Sequence, residues 1–198
     1  MFYTDGGVTP RAAAVELFHQ AGKWSLHYAT GSTLGQTIFF GVAGVFALGL
    51  ILGWRTRVCT VVSWLLLVSL HHRNGLVLYG GDGLLRLLLF WGMFLPLGTR
   101  FSVDAALNSD ERPPPRFLSM GSVGYVVQVC SVYLWTVAVK WHPTWFSEGT
   151  ATYYALKLDL FSTDLGRWLL DYPTMMKWAT WGTLTWEIVG VSLLLIPW

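Results

Sequence analysis

The stretch KWHPTWFSEGTATYY, residues 140–154, places a lysine, a histidine, an acid and five large aromatic residues directly after an uncharged run. Lys140 is the residue with the clearest chemical potential. A lysine at the C-terminal end of a helix complements the dipole and can reach water, which accounts for its position by itself. The residues after it allow a second reading. If Trp141, Trp145, Tyr153 and Tyr154 fold over the amine, desolvation favours its neutral form, and it becomes a usable base.

Two other places put ionisable groups inside apolar sequence. Glu187 stands near the middle of TWGTLTWEIVG (180–190), where it is either a protonated acid or the partner of a cation such as Arg86 or Arg73. Asp82 and Arg86, four residues apart in YGGDGLLR, share a helical face. They are expected either to pair with each other or to leave Arg86 lining an anion or headgroup site. SLHHRN (69–74) offers adjacent histidines, which diverge on a helix and suit a shared metal poorly. No HxxxH or HExxH pattern occurs, so no metal site is expected. The histidines then read as polar residues at headgroup level. Nucleophile-elbow, P-loop and dinucleotide-binding glycine motifs are absent as well.

The elements that must position these groups are apolar. The chain is 198 residues long, 54% hydrophobic and only 12% charged, against about 25% charged in soluble domains. Mean hydropathy is +0.49. Twelve tryptophans and eight tyrosines suit the headgroup layer, so the lipid bilayer is the expected partner. A net charge of +2, carried by scattered basic residues, excludes a nucleic-acid surface. Cys59 and Cys130 lie in apolar runs and define no disulfide framework or thiol motif.

The expected fold class is all-α, a polytopic transmembrane helix bundle of about five spans. Residues 34–53 and 117–139 are uncharged and long enough to cross about 30 Å of hydrocarbon. The run 178–198 is interrupted only by Glu187. Residues 58–74 begin as a short apolar run that continues into HHRN, and 83–98 carries Arg86 and stops at LPLG. The short segments 54–57 and 99–116 hold five Arg, which places them on the cytoplasmic side. Residues 1–33 and 140–177 then face outward, with Arg73 in a short outer loop. Within 152–173, Tyr154, Leu158, Phe161, Leu165, Trp168 and Leu169 fall at helical spacing. That pattern fits an interfacial helix along the membrane surface, or a small subdomain packed over the bundle.

Taken together, FYTDGGVTPR, LGWRTR, RN, YGGDGLLRLLLFWGMFLPLG, SVD and KWHPTWFSEGTATYYAL resemble the HTTM family over nearly the whole chain. These are bacterial membrane proteins similar to the membrane part of vitamin K-dependent gamma-carboxylase. The resemblance implies a multi-pass protein, expected in a bacterial inner membrane. It implies quinone-linked or carboxylation-type chemistry with a reduced, vitamin K hydroquinone-like quinone as cofactor and a peptide or quinone substrate. Lys140, Trp145, Glu148 and Gly149 match the carboxylase segment around its base in type and nearly in spacing. Lys140 is therefore the implied base, with Asn74, Asp82, Arg86, Trp145, Tyr154 and Glu187 around the cavity. Thr99 departs from the pattern, standing where the carboxylase has a functional histidine, and the large propeptide-binding domain is missing. The resemblance also implies further helices before FYTDGG and after LLLIPW, so that the chain would be a piece of a longer protein. Because the family includes a component that helps mature a secreted toxin, the alternative is a non-enzymatic membrane accessory for maturation or export of a secreted peptide. A transporter is the weaker reading, since no inverted repeat is visible.

Overall fold

The computed structural model describes residues 2–19, 22–108, 117–160 and 162–194, with side chains 18 and 19 excepted. Among these residues the secondary structure is all helical: α1 (Arg11–Ala14), α2 (Thr33–Leu52), α3 (Thr56–Arg73), α4 (Gly80–Gly92), α5 (Val103–Leu107), α6 (Met120–Val139), α7 (Pro143–Phe146), α8 (Ala151–Leu156), α9 (Asp164–Leu169) and α10 (Pro173–Leu194). The chain forms two compact units, residues 1–125 and 126–198, which divide within α6.

Helices α2 and α6 are each 20 residues long and apolar enough to cross a membrane. Only 11% and 6% of their most apolar windows are buried inside the protein. Leu34, Val45 and Ile51 on α2, and Trp135 and Val139 on α6, turn bare apolar surface outward. That surface is unfavourable in water and natural in lipid.

In the first unit α2 packs on α3 and α3 on α4. Gly53 ends α2 in the left-handed conformation (φ 69°), a shape glycine adopts without steric cost, and Trp54 N–H donates back to Gly49 O at 2.9 Å. The next helix is capped from a distance. Asp104 accepts from Arg55 N–H (2.8 Å), Thr56 N–H (2.8 Å) and the Thr56 hydroxyl (2.6 Å), placing a carboxylate at the positive end of α3. Its own N–H returns to Gly53 O at 3.0 Å. LGWRTR and SVD are therefore two halves of one clamp.

The opposite end of α3 is covered by the N-terminal segment. Arg73 Nη2 donates to Tyr3 O (3.1 Å) and Asn74 Nδ2 to Phe2 O (2.9 Å). Ser69 is held by Ser25 and by the Leu26 N–H. Arg73 is thus no loop residue, as its place in the sequence suggests, but a fully buried one.

Three expectations about the elements need correction. The segment 83–98 is not one helix: α4 runs from Gly80 to Gly92, and turns follow to Gly98. Thirteen residues rise only about 20 Å, and Pro96 lacks the N–H to continue. The last long helix starts at Pro173 rather than 178, taking Lys177 into its first turns. Residues 152–173 do not form a single amphipathic helix. They break into α8 and α9, and both pack on α10 with α7. Phe161, placed on the shared face, lies outside the described residues.

Asp104 supplies a test of the clamp. The hydrogen bonds from the Thr56 side chain and backbone, then that from Arg55, hold its carboxyl below the usual carboxylate range. A depressed folded-state pKa stabilises above the unfolded value, about 3.9, and that contribution disappears as pH falls through the folded one. Asp104→Asn should lower the unfolding temperature of the detergent-solubilised protein at pH 7. The gap from the parent should close as pH drops below about 4; a gap independent of pH would show that the charge is not what caps α3.

Candidate functional site

Lys140 follows α6 where the helical hydrogen bonds end, its N–H shared between Thr136 O and Val137 O. The chain then turns sharply, for identifiable reasons. His142 is the N-cap of α7, receiving the Thr144 hydroxyl or donating to it at 2.9 Å, and Pro143 occupies the first helical position. Phe146 O accepts from Trp181 Nε1 at 3.1 Å, which pins α7 to α10. Gly149 (φ 66°) completes the return, and a Cβ there would sit 3.1 Å from the Trp181 ring.

The turn brings Trp145 over the amine, with Lys140 Nζ 4.5 Å from the ring centre. From α10, Glu187 Oε1 accepts from Lys140 Nζ at 2.5 Å. Both side chains are largely covered, 17% and 13% exposed. Within the second unit Glu187 therefore finds Lys140 as its partner. Its second oxygen, Oε2, is buried without a hydrogen-bond partner. Glu187 also lines a cavity of about 200 Å³ with Tyr133, Trp186, Val191 and Leu194.

The remaining predicted lid residues lie elsewhere. Trp141 is 78% exposed and packs on Phe146 (4.7 Å), while Tyr153 engages Lys157 Nζ (4.6 Å). Tyr154 is exposed and meets Tyr153 edge-on. It makes no contact with Lys140 among the described residues.

Asp82 and Arg86 form no ion pair among the described residues. Asp82 Oδ2 instead accepts from Tyr79 N–H at 3.0 Å and caps α4, since a short acid in a first turn is closer to the free backbone N–H groups than to a side chain one turn on. Asn74 is a clamp residue: Nδ2 holds Phe2 O, and Oδ1 accepts from Leu76 N–H. Asn74, Asp82 and Arg86 belong to the first unit and Lys140, Trp145 and Glu187 to the second. Glu148, matched in the resemblance, accepts from the Thr150 hydroxyl at 3.2 Å.

Among the buried groups that sequence reasoning missed are Arg73, His27 and His71, whose Nδ1 is buried without a hydrogen-bond partner. Arg73 keeps Nε and Nη1 without partners while fully buried. His27 is only 3% exposed, and its Nδ1 lies 2.7 Å from Gln36 Oε1, so its ring is enclosed by the protein. The readable signal for Arg73 was the continuation of the apolar run into HHRN, where the eighteen-residue α3 takes in HHR and Asn74 is its C-cap. No local pattern marks His27, whose burial depends on α2 and α3 closing over it.

No protein-family model, curated protein or solved structure matches this chain.

The ion pair can be dissected by substitution. Lys140→Met strands a largely buried carboxylate and should cost about 3 kcal/mol of stability. Adding Glu187→Leu should restore most of that loss, read as the unfolding temperature in detergent. A double variant no better than the single one would mean that the two side chains are not energetically coupled.

Proposed function

We propose that the chain is a multi-pass membrane protein whose Lys140–Glu187 pair is a proton-transferring site for carboxylase-like, quinone-linked chemistry. The observation that carries this reading is the 2.5 Å contact together with the unpartnered Glu187 Oε2. Moving one proton along that contact leaves a neutral amine, able to take a proton from a substrate hydroxyl, and a carboxylic acid to hold its own. Oε2, which the protein leaves unpaired, is free for a second donor. Trp145 covers the amine on one side and limits its exchange with water.

The walls beside Glu187 suit a flat apolar ring, since Tyr133, Trp186, Val191 and Leu194 offer aromatic and aliphatic surface with one acid among them. A reduced quinone would supply the acidic hydroxyl that such a base needs. Membership of the HTTM family, and a bacterial inner membrane as location, belong to this proposal and rest on the sequence motifs.

Five crossings remain the preferred count. Helices α2, α3, α6 and α10 have 18 to 22 residues, about 27–33 Å of rise. Helix α4 is short, yet the chain passes from Asn74 at one end of α3 to Asp104 at the other between residues 74 and 104. α4 and the turns to Gly98 together cover the length of α3, which supports reading them as one crossing. Reporter fusions after Asn108 and after Asp159 should report opposite sides of the membrane; the same side for both would break this count.

A second reading is favoured by the clamps. LGWRTR with SVD, and FYT with RN, are tied together by structural hydrogen bonds, as expected of an accessory protein with no chemistry of its own. Lys140→Arg separates the two readings, because Arg keeps the ion pair but cannot act as a base near neutral pH. In proteoliposomes supplied with a reduced quinone and oxygen, Lys140→Arg should retain the parent unfolding temperature and lose at least about 100-fold in quinol turnover. Parent-like turnover in the variant, or none in the parent, would favour the accessory role.

A further inference from the structure

The first unit contains a larger cavity, of about 330 Å³, partly open and enclosed by α2, α3 and α4. Its lining on α2 runs from Phe39 to Ile51, about 18 Å along the helix axis, so it is a groove shaped for a chain. Ala43 and Ala47, one turn apart, leave room where larger side chains would fill it, and Leu67 and Leu89 face them from α3 and α4. His27 closes one end, packed at 4.8 Å against Phe39.

The hydrogen bonds around His27 fix which ring nitrogen carries the proton. Gln36 Nε2 donates to His27 O (3.0 Å) and Thr30 O (2.6 Å), and both acceptors are backbone carbonyls. The NH₂ group of Gln36 is thereby located, and its Oε1 must accept. His27 Nδ1, 2.7 Å away, is therefore the N–H donor, and Nε2 keeps its lone pair in the neutral ring. Burial holds the imidazole below its usual range even with the Gln36 bond, and the Arg73 charge acts in the same direction. No hydrogen bond reaches Nε2 among the described residues. The end of an apolar groove thus carries one acceptor and no donor of the protein's own to fill it.

A second polar group borders the same groove. Hydroxyls inside the long helices bond back to the carbonyl one turn earlier, as at Thr37, Thr60, Ser131 and Thr183. Ser63 lines the groove, and its buried hydroxyl makes no such bond.

We infer that this groove binds a membrane-dissolved molecule with an apolar chain and a terminal hydroxyl, a long-chain alcohol or phenol, whose O–H donates to His27 Nε2. An acyl chain alone would satisfy the walls but not the acceptor. A carboxylate or phosphate headgroup would present lone pairs to a lone pair. The site lies within residues 27–89 and holds whether or not Lys140 is a base.

The test uses the full chain in nanodiscs, with a diazirine-bearing hexadecanol and the methyl ether of the same probe, crosslinked and mapped by mass spectrometry. The alcohol should label α2 and α3 residues of the groove with a half-saturating concentration about five-fold below that of the ether, the worth of one hydrogen bond. His27→Asn keeps an N–H toward Gln36 while removing Nε2, and should abolish that five-fold difference without weakening the ether. Ala47→Trp fills the groove and should remove labelling by both. Equal saturation by alcohol and ether in the parent would reduce the groove to a bed for lipid tails and overturn the proposal. So would labelling that survives Ala47→Trp, and neither result requires His27→Asn to fold.

Discussion

The structure depends on one constraint: polar groups surrounded by apolar side chains must find their partners within the chain. Helices satisfy their own interiors, so the unsolved donors and acceptors collect at helix ends. In the first unit those ends are handled by residues distant in sequence. Asp104 caps α3 from 48 residues away, and Asn74 and Arg73 take up the carbonyls of Phe2 and Tyr3. Each clamp satisfies backbone groups and ties two segments at once, and the two together hold α3 at both ends. The N-terminal segment is thereby part of the same packed unit.

In the second unit the constraint is met by charge. Lys140 leaves α6 and Glu187 stands inside α10, and each is the other's partner at 2.5 Å. A pair covered to this degree is held more by the cost of breaking it than by the gain of making it. The WHPTWFSEG turn contributes by folding Trp145 over the amine, and α7 is anchored in turn by Trp181. Among the described residues seven buried side-chain atoms lack a hydrogen-bond partner, Thr9 Oγ1, Trp64 Nε1 and His71 Nδ1 among them. Glu187 Oε2 and the Ser63 hydroxyl border cavities, while two nitrogens of Arg73 lie beneath the N-terminal segment. Buried polar atoms without partners are rare in folded chains, so these positions mark where a ligand or an internal water has something to gain.

Much of the architecture was legible because hydropathy and length are local properties. The runs at 34–53 and 117–139 became α2 and α6 within a few residues, and the low charge content anticipated their exposed apolar faces. The shorter runs were harder to read, because a helix end is decided by which donors and acceptors are at hand. α4 stops at Gly92 inside continuous apolar sequence, and α10 begins five residues before its apolar stretch. The Asp82–Arg86 spacing was compatible with a pair, and capping of Tyr79 N–H prevailed because the unpaired backbone donor was nearer.

The sequence alone determined that the chain is helical and apolar, that Lys140 terminates a long helix, and that an acid lies deep in the last one. Periodicity and composition act over a few turns and carry that information directly. Only the tertiary structure decided that Glu187 meets Lys140 across 47 residues, that Trp145 rather than Trp141 covers the amine, and that His27 lines an apolar groove. Those outcomes depend on how separate helices cross and which side chains they bring within about 3 Å, and no spacing along one segment encodes such a distance.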